Sequence, residues 1–214
     1  MTWTVDQQLA LTATEAIAAI QSGRLKAADY IATLLARAAS LSSLNALTTL
    51  DLDGALAAAQ RIDALPPEAK ARLPLAGLPI VVKDNINTAG LQTSAGTPAL
   101  EGFVPKTNAP SVQRLLDAGA IVLGKANMHE LAFGITSTNL ATHAGPVRNP
   151  YNPTLIPGRL VGRHGRRDRR AHCARGSRHR HRRLDPHSGG VDGHRRVSPI
   201  GSATGGAEAA LSRP

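Results

Sequence analysis

Apolar positions recur along residues 1–158 with two periods, and the switches between them mark out the elements. Thr12-Ala13-Thr14-Glu15 has capping-box spacing and predicts an Ala/Ile-rich helix that stops at Gly23. Residues 27–41 predict a second helix, with Ile31, Leu34, Leu35 and Ala38 on one face. Residues 1–11 read as a lead-in. Leu44 to Leu50 predicts a short strand, and Asp51 to Leu65 a helix that Pro66-Pro67 ends. Leu78-Pro79-Ile80-Val81-Val82-Lys83 is an unbroken apolar, β-branched run and predicts a buried strand. Gly90 to Gly102 is a small-residue loop, followed by a helix over Pro110 to Ala118 with its proline at N1. Ala120 to Leu123 predicts a strand closed by Gly124-Lys125-Ala126-Asn127, and Met128 to Phe133 the start of another helix. Gly145 to Pro153 is dense in turn residues. Strands alternating with helices imply an α/β layered fold with a largely parallel or mixed sheet.

Composition changes this picture at one place. Formal net charge is +10 over 214 residues, yet residues 1–158 hold 11 Lys+Arg against 11 Asp+Glu. Residues 159–214 hold 14 Arg, no Lys and 4 Asp+Glu, with six of the eight histidines. The basic character therefore belongs to the last 56 residues. Those residues are poor in apolar side chains at any period, and an unstructured tail is expected there. Aromatic residues make up only 2%, so the core is expected to be Ala/Leu/Ile/Val. The single cysteine, Cys173, excludes an internal disulfide framework and fits a reducing compartment. No basic, then apolar leader pattern opens the chain and no apolar run reaches membrane-spanning length, so a cytoplasmic location without a membrane partner is expected.

The candidate chemistry centres on Lys83, where the apolar run meets Asp84-Asn85. Desolvating a lysine is costly unless it is paired, and burial lowers its pKa. That environment makes lysine a neutral general base. The other reading is a strand-end lysine whose ammonium reaches water, and the residues by themselves favour it. Thr93-Ser94-Ala95-Gly96-Thr97 could line a site, but turn chemistry is the better account. Lys125, Asn127, His129 and Glu130 invite a metal or acid/base reading. Only His129 and Glu130 are plausible ligands, and neighbours on a helix point apart, which favours a structural role and no metal.

Three segments carry a resemblance to a known family. Leu75-Ala76-Gly77-Leu78-Pro79-Ile80-Val81-Val82-Lys83-Asp84-Asn85, Leu123-Gly124-Lys125-Ala126-Asn127-Met128-His129-Glu130-Leu131-Ala132 and Gly145-Pro146-Val147-Arg148-Asn149-Pro150 together resemble the amidase signature family, over residues 8 to 158. Within it the chain looks most like the indoleacetamide and mandelamide hydrolase group. The resemblance implies a serine hydrolase of small carboxamides working through a Ser–cis-Ser–Lys triad without a cofactor, in an α/β/α fold with a mixed central sheet. Lys83 matches the lysine of that triad. Residues 1–158 would be the N-terminal portion of the domain, leaving an open sheet edge and uncovered apolar faces. A homodimer is left open.

Both serines of such a triad belong to a Gly/Ser-rich segment expected right after Ile156-Pro157-Gly158, where the chain instead reads Arg159-Leu160-Val161-Gly162-Arg163-His164. Arginine without lysine, with His, Gly and Pro, is what GC-rich DNA yields out of frame. Residues 159 to 164 can be written with the codons CGG-CTC-GTC-GGG-CGG-CAC, which read from the second base give Gly-Ser-Ser-Gly-Gly-Thr. Continued with GC-favoured codons the same frame yields GGGIAARIAPAGAG, then TDTGGSIRI under codons 179 to 187, then PAALTGIAGFRPS through Ile200. Its first serine straddles codons 160/161 and the serine of TDTGGS codons 184/185, a separation of 24 codons that suits the bridging serine and nucleophile. One extra base near codons 158/159 is expected, with 159–214 a frame-shifted tail. This chain would then retain Lys83, lack both serines and be inactive, and Ser94, Ser137 and Ser188 are not credible substitutes.

The competing class is a non-enzymatic protein that binds polyanions through the basic tail. The tail has no Phe, Tyr or Trp to stack on bases and no lysine. Its histidines and Cys173 lack the spacing of a zinc site.

Overall fold

The computed structural model describes residues 2–134 and 136–157. The division at 158/159 and the expected unstructured tail, with Ser188 in it, lie outside the described residues. Helix α1 (Val5–Ala10) occupies the segment expected to be a lead-in. Its signal was local: Thr4 accepts from the Gln7 amide and the Gln7 side chain answers the Thr4 amide, a capping box with glutamine in the third position. Helix α2 (Ala13–Gln21) starts with the expected reciprocal pair of Thr12 and Glu15. The Thr12 backbone, then its side chain, holds the Glu15 carboxyl below its usual range. Helix α3 (Ala27–Ser40) buries the expected Ile31, Leu34, Leu35 and Ala38. Its N-cap, Lys26, offers no side-chain acceptor, and Asp63 serves instead, taking the Ala27 and Ala28 amides at 2.8 and 2.9 Å.

Strand β1 (Leu47–Leu50) is shorter than the pattern predicts. Residues Ser42–Leu44 form a tight turn, and Asn45 at φ 51° is left-handed, so the extended run cannot begin before it. Asp51 caps α4 (Leu52–Asp63) through the Gly54 amide. Pro66 ends that segment as expected, whereas Pro67 opens a short helix, α5 (Pro67–Ala71). Strand β2 (Pro79–Lys83) is buried at every position. Helix α6 (Pro110–Asp117) has its proline at the start, as the sequence predicts. Strand β3 (Ile121–Ala126) runs past the expected stop at Gly124. Glycine is needed there because β1 crosses so closely that a Cβ at Gly124 would run into the Thr49 carbonyl.

The sheet order is β1–β3–β2, with β1 antiparallel and β2 parallel to the central β3. It is therefore mixed. One face packs Val81, Ile121, Leu123 and Ala126 against α2, α3 and α4. The other packs Ile80, Val82 and Val122 against Val112, Leu115 and Leu116 of α6. Tyr30, Ile31 and Leu34 are fully buried in the first layer, so the helix–sheet–helix arrangement has its larger core there. Large exposed apolar side chains occur at Val5, Leu52, Leu100, Phe103 and Val104 and, late in the described chain, at Leu131, Phe133, Leu140, Tyr151, Leu155 and Ile156. None of the described helices is long and apolar enough to cross a membrane.

Met128 to Phe133 is not the predicted helix. Only Glu130–Ala132 turns, with Leu131 and Ala132 at positive φ. Two long-range bonds break the helix. The Leu131 amide goes to the Ala95 carbonyl at 2.8 Å, and the Met128 carbonyl is taken by the Asn139 side chain at 3.1 Å.

Candidate active site

Strand β2 delivers Lys83 to the end of the sheet and buries it, 5% exposed. Of the two sequence readings, the lysine with its ammonium in open water is the one this burial disfavours. The chain then turns at once. The Lys83 carbonyl accepts the Ile86 amide at 3.0 Å, and the Asp84 amide continues the β-ladder to Ala126.

Asp84 is buried beside it, and the loop of residues 93–97 is folded onto its carboxylate. Oδ2 accepts the Ser94 amide at 3.1 Å, the Ser94 hydroxyl at 2.6 Å and the Gly96 amide at 3.2 Å. Thr48 Oγ1 lies 3.4 Å from Oδ1. Because the Ser94 proton goes to Asp84, His143 Nε2, 3.2 Å from Ser94 Oγ, is the donor in that contact. His143 Nδ1 is buried without a hydrogen-bond partner, 3.9 Å from Glu101 Oε2. The order Asp–Ser–His is not that of a hydrolytic relay, in which the imidazole stands between the other two. Residues 93–97 are structural, in line with the turn reading, though they pack against Lys83's own turn.

Lys125, assigned no ligand or catalytic role from the sequence, is fully buried in β3. Its Nζ donates to the Ile86 carbonyl at 2.6 Å and to Thr93 Oγ1 at 2.7 Å. Desolvation lowers its pKa to about 8, against a smaller opposing pull from Asp84. Thr93 passes its own proton to the Leu91 carbonyl at 3.2 Å.

Two asparagines close the far side. Asn127 Nδ2 reaches the carbonyls of Asn45, Ala144 and Gly145 at 3.0 to 3.1 Å. Asn139 Nδ2 holds the carbonyls of Gly96 and Met128. Gly96, at φ 66°, leaves room for it, since a Cβ there would collide with the Asn139 amide. His129 lies under Gly134, where a Cβ would strike the imidazole, and among the described residues no group of three His, Cys, Asp or Glu could hold a metal ion. A concavity of about 450 Å³ between residues 42–45 and 142–148 is lined by Ser42, Asn45, His143 and Arg148 and does not include Lys83. The sequence signal that could have found Lys125 is the one that found Lys83: a lysine at the end of an apolar run.

Comparison with known proteins adds a family to this geometry. The family model described as Amidase matches residues 29–159. A mandelamide hydrolase of Pseudomonas putida is 44% identical over 151 residues, covering 69% of this chain and 30% of that protein. An indoleacetamide hydrolase of Rhizobium radiobacter is 47% identical over 143 residues, covering 64% and 30% respectively. The peptide amidase of Stenotrophomonas maltophilia superposes with a TM-score of 0.62 at 36% identity, over 69% of this chain and 31% of that one. The chain thus spans less than a third of the length of these relatives.

Proposed function

The chain belongs to the amidase family, and from that membership we propose that it is the N-terminal portion of a hydrolase cleaving carboxamides to acid and ammonia, read into a second frame after Gly158. The observation that carries this is Lys83, buried at the end of β2 inside the segment that matches the family. In the read-through chain, Lys83 takes a proton through the serine hidden under codons 160/161. The serine hidden under codons 184/185 then attacks the amide carbonyl. Ammonia leaves from the tetrahedral intermediate and water releases the acid from the acyl-enzyme. Backbone amides of the Gly-rich stretch stabilise the oxyanion. The substrate is an arylacetamide-like carboxamide, such as the amides for which the two hydrolases above are named.

The frame reading has two further supports. The family match stops at residue 159, where the second frame begins to spell the missing segment. Six of the eleven large exposed apolar side chains among the described residues lie at positions 131–156, next to the break, as an unfinished core would leave them. Lys83 without its serines has no covalent path, and triad members act as a unit, so this chain is inactive. Polyanion binding by the 14 tail arginines is the alternative, and no described residue favours it.

Resequencing the DNA from codon 150 past codon 214, with an ammonia-release assay on both chains, is the test. The read-through chain is expected to hydrolyse indoleacetamide or mandelamide, and the 214-residue chain is not. Turnover by the 214-residue chain, or none by the read-through chain on either amide, contradicts the reading.

A further inference from the structure

Lys125 lies one strand away from Lys83 and cannot touch the same chemistry directly. In the parallel ladder Val82 pairs with Lys125, and Lys83 with Ala126. Val82 belongs to the α6 face of the sheet and Ala126 to the α3 face, so strand alternation sends the two lysines to opposite faces. Lys125 is fully buried, and two of its three protons are given to the Ile86 carbonyl and the Thr93 hydroxyl. Both acceptors belong to the loop that leaves β2 through Lys83. Ile86 closes the turn on the Lys83 carbonyl at 3.0 Å, and Thr93 anchors the returning limb through its amide to Phe103 at 2.8 Å.

A methionine would fill nearly the same volume with no ammonium to desolvate, so packing alone does not call for lysine here. What the amine adds is a pair of short bonds across 39 and 32 residues of chain. We propose that Lys125 is a positioning residue for Lys83, gripping the Ile86 carbonyl and Thr93 hydroxyl from the opposite face of the sheet and so fixing the turn on which Lys83 leaves β2. Its catalytic consequence rests on the hydrolase reading given above. The clasp itself does not.

The test has two arms. In the 214-residue chain, amide hydrogen exchange is followed over residues 84–97, with α3 as internal reference, for the parent, Lys125→Met and Thr93→Val. Exchange over 84–97 is expected to quicken at least tenfold in Lys125→Met and less in Thr93→Val, with α3 unchanged. Absence of protection over 84–97 in the parent, no change in Lys125→Met, or equal acceleration in α3 overturns the clasp. In the read-through enzyme, Lys125→Met is expected to lower kcat at least tenfold, hold KM within twofold and shift the pH profile of kcat. Activity that falls only with the folded fraction, on an unchanged pH profile, reduces Lys125 to a structural residue and overturns positioning. An inactive read-through parent refutes the hydrolase reading and the catalytic positioning with it, while the exchange arm still decides the clasp.

Discussion

Replacing Asp84 by alanine removes the acceptor around which residues 94–96 are folded. One oxygen, Oδ2, takes the Ser94 amide, the Ser94 hydroxyl and the Gly96 amide, and both residues are buried. Each buried donor left unpaired costs about 1–3 kcal/mol. The losses are not all realised. The Gly96 amide keeps Ser94 Oγ at 3.2 Å. A net cost of about 2–4 kcal/mol follows for Asp84→Ala. Asp84→Asn is the informative control. Its carbonyl oxygen can take the Oδ2 position and its amide can face Thr48 Oγ1, which lies 3.4 Å from Oδ1. All partners are then kept and only the charge is lost, at about 1 kcal/mol. Amide exchange at Ser94 and Gly96 in the 214-residue chain reads both. At about 1.4 kcal/mol per tenfold, the alanine variant should exchange roughly 30- to 1000-fold faster than the parent and the asparagine variant about fivefold. Equal acceleration in the two variants, or none in the alanine variant, would refute the assignment of Asp84 as the loop's acceptor.

Gly124→Ala should separate β1 from β3, because the new Cβ meets the Thr49 carbonyl in the middle of the ladder. A loss of about 2–4 kcal/mol, seen as faster exchange of the β1 and β3 amides, is expected, and unchanged exchange would contradict it. A second expectation concerns pH. The Lys125 pKa of about 8 lies below its ordinary 10.5, so between those values the unfolded chain binds more protons and stability rises with pH. Below pH 8 the buried ammonium lowers stability by roughly 3 kcal/mol relative to high pH. Urea midpoints of the parent, compared with Lys125→Met, should gain across pH 8 to 10.5, and a flat or falling difference would rule this out.

The parts of the fold legible in the sequence are those whose causes are local. Thr12 with Glu15, Asp51 before α4 and Pro110 at the head of α6 signal their helix starts within one turn of chain. The strand at Val81-Val82-Lys83 was readable because nothing polar interrupts it. The errors lie where a distant partner decides. Gly124 looked like a strand end and is instead the point where β1 approaches, a reason found 75 residues earlier at Thr49. Residues 128–133 carry a helical composition, and bonds to Ala95 and Asn139 draw them out of the helix. Lys125 lay past the expected strand end at Leu123, with a structural role favoured but no partner in view, because Ile86 and Thr93, its reasons for burial, are far off in sequence.

Lys83 raises one remaining question: whether the described scaffold could supply a nucleophile of its own. Ser94 is the serine folded onto Lys83's turn, and the structure gives two reasons against it. It is 1% exposed, so an amide carbonyl has no approach to Oγ without opening the loop. Its proton is committed to Asp84 at 2.6 Å, and two further donors, the Gly96 amide and His143 Nε2, occupy its lone pairs. Activation requires a base that takes the proton away, whereas a carboxylate that only accepts the hydrogen bond holds the proton in place and leaves the oxygen a weak nucleophile. Freeing Ser94 would also unpair Asp84, the group on which the loop is built. Ser94 is thereby set aside, and in the proposed hydrolase the residues through Ile156-Pro157 hold the base while the nucleophile comes from the segment that the second frame spells. On the proposed frame reading, activity depends on one base near codon 158 and not on any repair within the scaffold.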